Sequence, residues 1–169
     1  MGRLKNRIIA KLLTRFPRLL DRVIAGAPVT ELDGVPWAPL RKRLKDSTVA
    51  LVTTAGVHLK GQQPFDMLDK QGDPTYRELP SVTPKEDYTI THDYYDHTDA
   101  DRDLNIVFPI DRLREMKEAG LIGGLAATNY GFMGHIDGAY MDILVKKTAP
   151  EVAGKLRKEG VDAVLLTHG

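Results

Sequence analysis

The stretch Val161-Asp162-Ala163-Val164-Leu165-Leu166-Thr167-His168-Gly169 decides how this chain is read. Val161 to Leu166 is a short apolar run between Gly160 and Gly169, the pattern of a buried strand in the middle of a sheet. Gly160 closes the preceding helix and Gly169 opens a loop. In an open α/β sheet, ligands bind just beyond the carboxyl ends of the strands. Thr167, His168 and Gly169 are therefore read as an active-site turn. A natural domain seldom stops there, so the expectation is an interrupted reading frame.

Outward from this strand the pattern alternates. Thr48 to Thr53 reads as the first buried strand and runs into a turn of small residues, Thr54-Ala55-Gly56-Val57-His58. Tyr88 to Thr91 reads as a second strand and Leu121 to Ala127 as a third. Residues 109–120 form a helix with Pro109 near its start and Gly120 at its end. Residues 138–159 form another, restarted at Thr148-Ala149-Pro150, where Thr148 caps. Residues 56–87 lack periodicity and read as a long functional loop. Strands alternating with helices predict an α/β fold: a three-layer, mostly parallel, Rossmann-like sheet, incomplete at its C-terminus.

The first 36 residues stand apart as a basic helical arm and linker, leaving 37–169 as the domain. Leu4, Ile8, Leu12, Leu19, Leu20 and Val23 recur at helical spacing over 3–25, with a break near Phe16 set by Pro17. The expected role is a helix docked by its apolar face; an interfacial membrane helix is the alternative. Residues 26–39 are a linker anchored by Trp37, and a short helix is predicted over 39–45.

Composition excludes several classes. The chain has no cysteine, so it forms no disulfide and supplies no thiol nucleophile. It shows no secretory signal and no bilayer-length apolar run; a cytoplasmic location is expected. Its net charge of +1 is unevenly spread: residues 1–48 hold 11 Lys and Arg against 4 acids, and the remainder is net acidic. That asymmetry suggests internal docking or a partner surface. There is no Gly-x-Gly-x-x-Gly, P-loop, zinc-type spacing or nucleophile elbow. The basic arm lacks the interleaved aromatics of single-strand binding, so nucleic acid is not expected as a partner; nor, with the docked helix the favoured reading of the arm, is a membrane.

The densest polar cluster is His92-Asp93-Tyr94-Tyr95-Asp96-His97, followed by Asp99, Asp101 and Asp103. A histidine beside carboxylates can manage protons near neutral pH. Two histidines with carboxylates also have the chemistry of a divalent-metal site, and a solvated acidic loop is the bland alternative. His58 follows the first strand. Lys60 and Arg77 sit in the long loop, where a cation can meet a substrate carboxylate. Asn105 and Asp111 flank a helix start. Gly131, Met133 and Gly134 follow the third strand, where glycine lets backbone approach a ligand or a neighbouring loop.

Several blocks resemble one family in order: Val49 to His58, Gly72-Asp73 with Tyr76 to Pro80, His92 with Tyr95-Asp96, and Asp103-Leu104-Asn105 with Phe108 to Glu115. Gly131-Phe132-Met133-Gly134 and Gly160 to Thr167 complete the set. Over roughly 37–169 the chain resembles the selenoprotein B family of glycine, sarcosine, betaine and D-proline reductases. The resemblance implies that the strand at 161–167 leads to a selenocysteine just after Gly169, in a codon (UGA) that reads as stop. It implies reductive C–N cleavage of an amino acid or betaine, a pyruvoyl group supplied by a partner subunit, and a thioredoxin-like dithiol reductant. On that basis His58, His92, Tyr95 and Asp96 are the expected catalytic residues. Thr54, Gly56, Lys60, Arg77, Asn105, Gly131, Met133 and Gly134 are the expected substrate-binding residues. No metal is assigned. The chain as written lacks the nucleophile and is expected to be inactive alone. The competing reading is a non-catalytic binding module or relic docked to a partner or membrane through its basic helix.

Overall fold

The computed structural model describes residues 2–16, 18, 19, 21, 25 and 38–169. Of the expected linker over 26–39, residues 26–37, with the Trp37 anchor, lie outside the described residues. The fold is mixed α/β, a partly parallel sheet with an N-terminal helix, α1 (Gly2–Arg15). Its centre is β1 (Thr48–Thr53), where Val49, Ala50, Leu51 and Thr53 are buried. A strand buried on both faces accounts for the continuous β-branched and aliphatic run.

β7 (Ala163–Thr167) pairs in parallel along one edge of β1. The opposite edge is shared by two strands. β5 (Gly124–Leu125) pairs with Thr48 and Val49, and β6 (Thr128–Phe132) pairs with Val52 and Thr53, both in parallel. β3 (Tyr76–Pro80) is antiparallel to β6. β2 (Val57–Leu59) and β4 (Tyr88–Ile90) form a separate antiparallel pair. The predicted third strand is thus corrected to a two-residue β5 followed by β6, and the presumed loop of 56–87 holds β2 and β3. Both are short and pair with residues distant in sequence, which leaves no local period to read.

The helices pack against both faces of β1. Val49 and Leu51 join Phe108, Ile110 and Leu113, the last two from α3 (Ile110–Glu118); α2 (Thr98–Arg102) adds Ala100 to this cluster. Ala50 joins Ala126, Tyr130 and Phe132 with Val152 and Leu156 of α5 (Ala149–Lys158). α4 (Ala139–Ile143) runs into α5 through a wide π-helical turn at Leu144–Thr148. Pro150 lacks an N–H for the carbonyl four residues back and its ring crowds it, so the helix widens rather than breaks. Thr148 therefore does not cap: its backbone is helical and its buried hydroxyl has no partner among the described residues. The short helix expected over 39–45 is a single 3-10 turn at Leu44–Asp46.

Two other expectations are corrected. β7 is not flanked on both edges: among the described residues only β1 pairs with it, and Val164, Leu165 and Leu166 are exposed. The apolar pattern that reads as buried is here an open strand. α1 ends at Arg15, before Phe16, but its apolar residues Leu4, Ile8 and Leu12 face solvent, as does Phe16 beyond it, while Ala10 is buried. The helix lies on its polar face because an acidic loop, 93–101, is the surface it meets.

The gap between β5 and β6 is closed by a side chain. Asn129 is fully buried; its Oδ1 accepts from the Leu51 N–H (2.8 Å), while its Nδ2 donates to Ser81 Oγ (2.7 Å) and the Leu79 carbonyl (3.4 Å). Asn129→Ala leaves the Leu51 N–H buried and unpaired. It is expected to lower unfolding free energy by about 2–3 kcal/mol, read as a shift in the urea midpoint at unchanged slope.

Candidate active site

The carboxyl ends of β1 and β7 are tied to one carbonyl. The hydroxyls of Thr53 (2.9 Å) and Thr167 (2.6 Å) both donate to Val107 O. Thr53 Oγ1 also accepts from the Ala55 N–H, and the Thr54 N–H donates to Thr167 O at 3.0 Å. The chain then turns at Gly56, whose φ is +74° and where a Cβ would lie 2.5 Å from the Thr91 carbonyl. Only glycine accepts both the positive φ and the close approach. The turn lets Gly56 O accept from the Thr91 N–H and lays residues 91–97 across the strand ends.

His92 is the centre of that segment. It is buried, and its Nδ1 accepts from the Tyr94 N–H at 3.1 Å, so Nε2 carries the proton of the neutral ring. Nε2 lies 3.5 Å from where a Cβ on Gly134 would sit, and that position is 3.0 Å from Thr54 O. Burial, then the nearby His135 and His97, push the His92 imidazole down to about 4, while Asp93 pulls the other way. Tyr95 packs edge-on to His92, with ring centres 4.8 Å apart, and donates its hydroxyl to Ala55 O at 3.1 Å. Burial raises the Tyr95 phenol, which stays protonated. Gly169 lies against the Tyr95 ring; a Cβ there would come within 2.5 Å of its edge. The Asp96 carboxylate accepts from the Thr98 hydroxyl and N–H, bonds that hold it below the usual carboxylate range.

Tyr95, Asp96 and Gly169 border a cleft of about 480 Å³, lined also by Ile106, Val107, Leu166, Thr167 and His168; His92 lies behind Tyr95, outside the lining. Of the residues singled out in the sequence, Thr54, Gly56, His92, Tyr95, Asp96, Gly134 and the turn 167–169 come together around these strand ends. Met133 is buried close by with Phe65 and Met67 against Tyr94.

The remainder are elsewhere or engaged. His58 is buried with both nitrogens occupied, Nδ1 on Leu59 O and Nε2 on Thr91 Oγ1, each at 2.8 Å; burial lowers its pKa. Arg77 reaches the carbonyls of Gln63, Pro64 and Tyr76 and lies 4.4 Å over the Phe65 ring. Asn105 braces the start of α3 through Asp111. Gly131 admits the Val57 carbonyl, only 2.1 Å from where its Cβ would be. Lys60 lines a different cavity, with Lys85, Tyr88 and Leu104. Among the described residues no group of three or more His, Cys, Asp or Glu is placed to hold a metal ion.

Sequence reasoning missed two participants. Asp93 stands inside the cluster it quoted, yet the structure makes it a buried anion paired with Arg3 of α1 at 2.6 Å. Nothing local marks Arg3, because the contact spans 90 residues.

Two outcomes follow. His92 should remain neutral to about pH 4 in an NMR titration. Its folded pKa lies below the unfolded value near 6.5, so the stability it contributes is complete above pH 6.5 and is lost as pH falls toward 4. His92→Phe should flatten that part of the stability-versus-pH curve. Gly56→Ala, strained at φ +74° and against Thr91 O, should destabilise by about 2 kcal/mol or more in thermal unfolding.

Comparison with known proteins identifies the family. The family model for glycine/sarcosine/betaine reductase selenoprotein B matches residues 7–169. The D-proline reductase subunit gamma of Acetoanaerobium sticklandii is 44% identical over 133 residues, covering 79% of this chain and 53% of that protein. The glycine reductase complex component B subunit gamma of Symbiobacterium thermophilum is 32% identical over 162 residues, 90% of this chain and 37% of its own. The betaine reductase complex component B subunit beta of Peptoclostridium acidaminophilum is 30% identical over 147 residues, 83% and 32% respectively. The chain thus spans about half the length of the first and about a third of the others. No solved structure matches it significantly. Among the described residues no helix is long and apolar enough to cross a membrane. The chain belongs to the glycine/sarcosine/betaine reductase selenoprotein B family.

Proposed function

We propose that this chain is the substrate-binding scaffold of a selenocysteine-dependent reductase that cleaves a C–N bond of an amino acid or betaine, with the reactive residue following Gly169. One observation carries the reading: the cleft at the ends of β1 and β7 is walled by Tyr95 and opens at the turn Thr167-His168-Gly169. The residues fit a reactive group at that point. The Tyr95 ring leaves room only for glycine at 169, and Thr167 is fixed by its bond to Val107 O. A selenolate there supplies a nucleophile ionised at neutral pH, by the logic that governs low-pKa thiolates.

The roles of the chain's own residues follow from their geometry. Tyr95, held on Ala55 O and protonated, orients the wall of the cleft. Neutral His92 presents an Nε2 proton toward Thr54 and Gly134, and Asp96 sits at the rim. Replacing C–N by C–H and releasing the amine takes up two electrons and two protons. A dithiol of the thioredoxin type supplies both as it closes to a disulfide. The pyruvoyl group is assigned to a partner subunit, consistent with relatives that are named as components of reductase complexes. The proposal extends to a cytoplasmic location and to a three-layer, Rossmann-like sheet, supported by helices on both faces of β1.

The test is to sequence the gene past the codon for Gly169 and to label the expressed product with radioactive selenium. The expected outcome is UGA, an open frame beyond it and a labelled protein that, with its partner subunits and dithiothreitol, reduces glycine, sarcosine, betaine or D-proline. In that assembly Tyr95→Phe should lower kcat/KM about fivefold to tenfold, the worth of one lost hydrogen bond. A different stop codon with no coding frame beyond it would sink the enzyme reading and leave a binding module.

A further inference from the structure

α1 meets the site loop along a single face. Residues 3, 6, 7, 10 and 11 share one side of a helix. Arg3 pairs Asp93 through Nε at 2.6 Å and Nη2 at 3.4 Å. Asn6 faces the Tyr94 hydroxyl. Ala10 is buried. Arg7 and Lys11 border a small cavity with Tyr95, Asp96, His97 and Asp101. The Asp93 side chain is only 4% exposed, and among the described residues Arg3 is the cation that pairs it. Arg3 lies outside residues 7–169, the part matched by the family model.

We propose that Arg3 is a positioning residue for the candidate active site, holding the His92 loop across the strand ends through its two-pronged bond to Asp93. The physical basis is the cost of a lone buried carboxylate. Without its partner, Asp93 must either keep an uncompensated charge beside His92 or turn toward water and carry the loop with it. Either change is felt at His92, whose backbone adjoins Asp93 and whose Nδ1 is fixed by the Tyr94 N–H. The titratable groups that act on His92 are His135 after β6, His97 on the same loop and Asp93. Of the three, Asp93 alone favours protonation, and Arg3 offsets it. α1 is therefore part of the site's electrostatic frame, and its docking adds to the burial and the neighbouring histidines that keep the central imidazole neutral.

This inference rests on the reading of the His92 loop as the site, but its test does not depend on reductase activity. The full chain is titrated by NMR and the His92 midpoint is read. Arg3→Gln should raise the midpoint by about one pH unit, because it leaves Asp93 unopposed. Arg3→Lys should restore most of the wild-type value. Adding Asp93→Asn to Arg3→Gln should abolish the rise. A midpoint unmoved by Arg3→Gln, or moved equally with and without Asp93, overturns the proposal, since a merely structural loss would not depend on the Asp93 charge. If Arg3→Gln does not fold, Asp93→Asn decides the matter through amide exchange. Faster exchange across Lys5 to Lys11 is expected, and unchanged exchange overturns the proposal. A shifted midpoint together with an inactive full-length protein would remove the functional reading and leave this one standing.

Discussion

The amide of Asn129 is the constraint on which the rest depends. β1 needs a partner along its whole edge, yet the chain supplies two short strands there with a break at Ala126 and Ala127. A buried N–H at Leu51 would otherwise face that break. Asn129 fills it with the acceptor a neighbouring strand would have offered, and it uses its donors to fasten β3 through Leu79 and Ser81. One side chain therefore aligns three strands. Because β1 is fixed in this way, its exit at Thr53, Thr54 and Gly56 is fixed as well.

From that exit the site is assembled by backbone rather than by a rigid cage of side chains. Val107 O collects two threonine hydroxyls and so sets the ends of β1 and β7 at one level. Gly56 turns the chain, and the bond from the Thr91 N–H to Gly56 O carries the His92 loop across. Tyr95 then closes one wall through Ala55 O. The site inherits the stability of the parallel core, while the loop itself depends on local bonds and on α1. A buried anion countered from a distant helix gives the docking of α1 a chemical consequence as well as a mechanical one.

Different parts of the site were legible to different degrees. His92, Tyr95 and Asp96 could be singled out because titratable and aromatic residues crowd together after a strand, and Thr167 and Gly169 because one ends a strand and the other stands just past it. His58 carried the same positional signal, but folding spends both its nitrogens on Leu59 and Thr91. Arg77 was read as a loop cation, and folding uses its donors on backbone carbonyls. Sequence shows which groups are available; which of them are already satisfied depends on neighbours tens of residues away.

The sequence by itself determined β1, α3 and the helix at 149–158, because each carries its own period, its own glycine or proline punctuation and enough length to be read locally. It also determined the family, through ordered blocks from Val49 to Thr167. The tertiary structure alone decided the pairing of β2, β3 and β6, the inverted docking of α1, the open face of β7 and the Arg3–Asp93 pair. These rest on contacts between segments far apart in the chain, where burial and charge compensation are properties of the assembled fold and leave no periodic trace in any one segment.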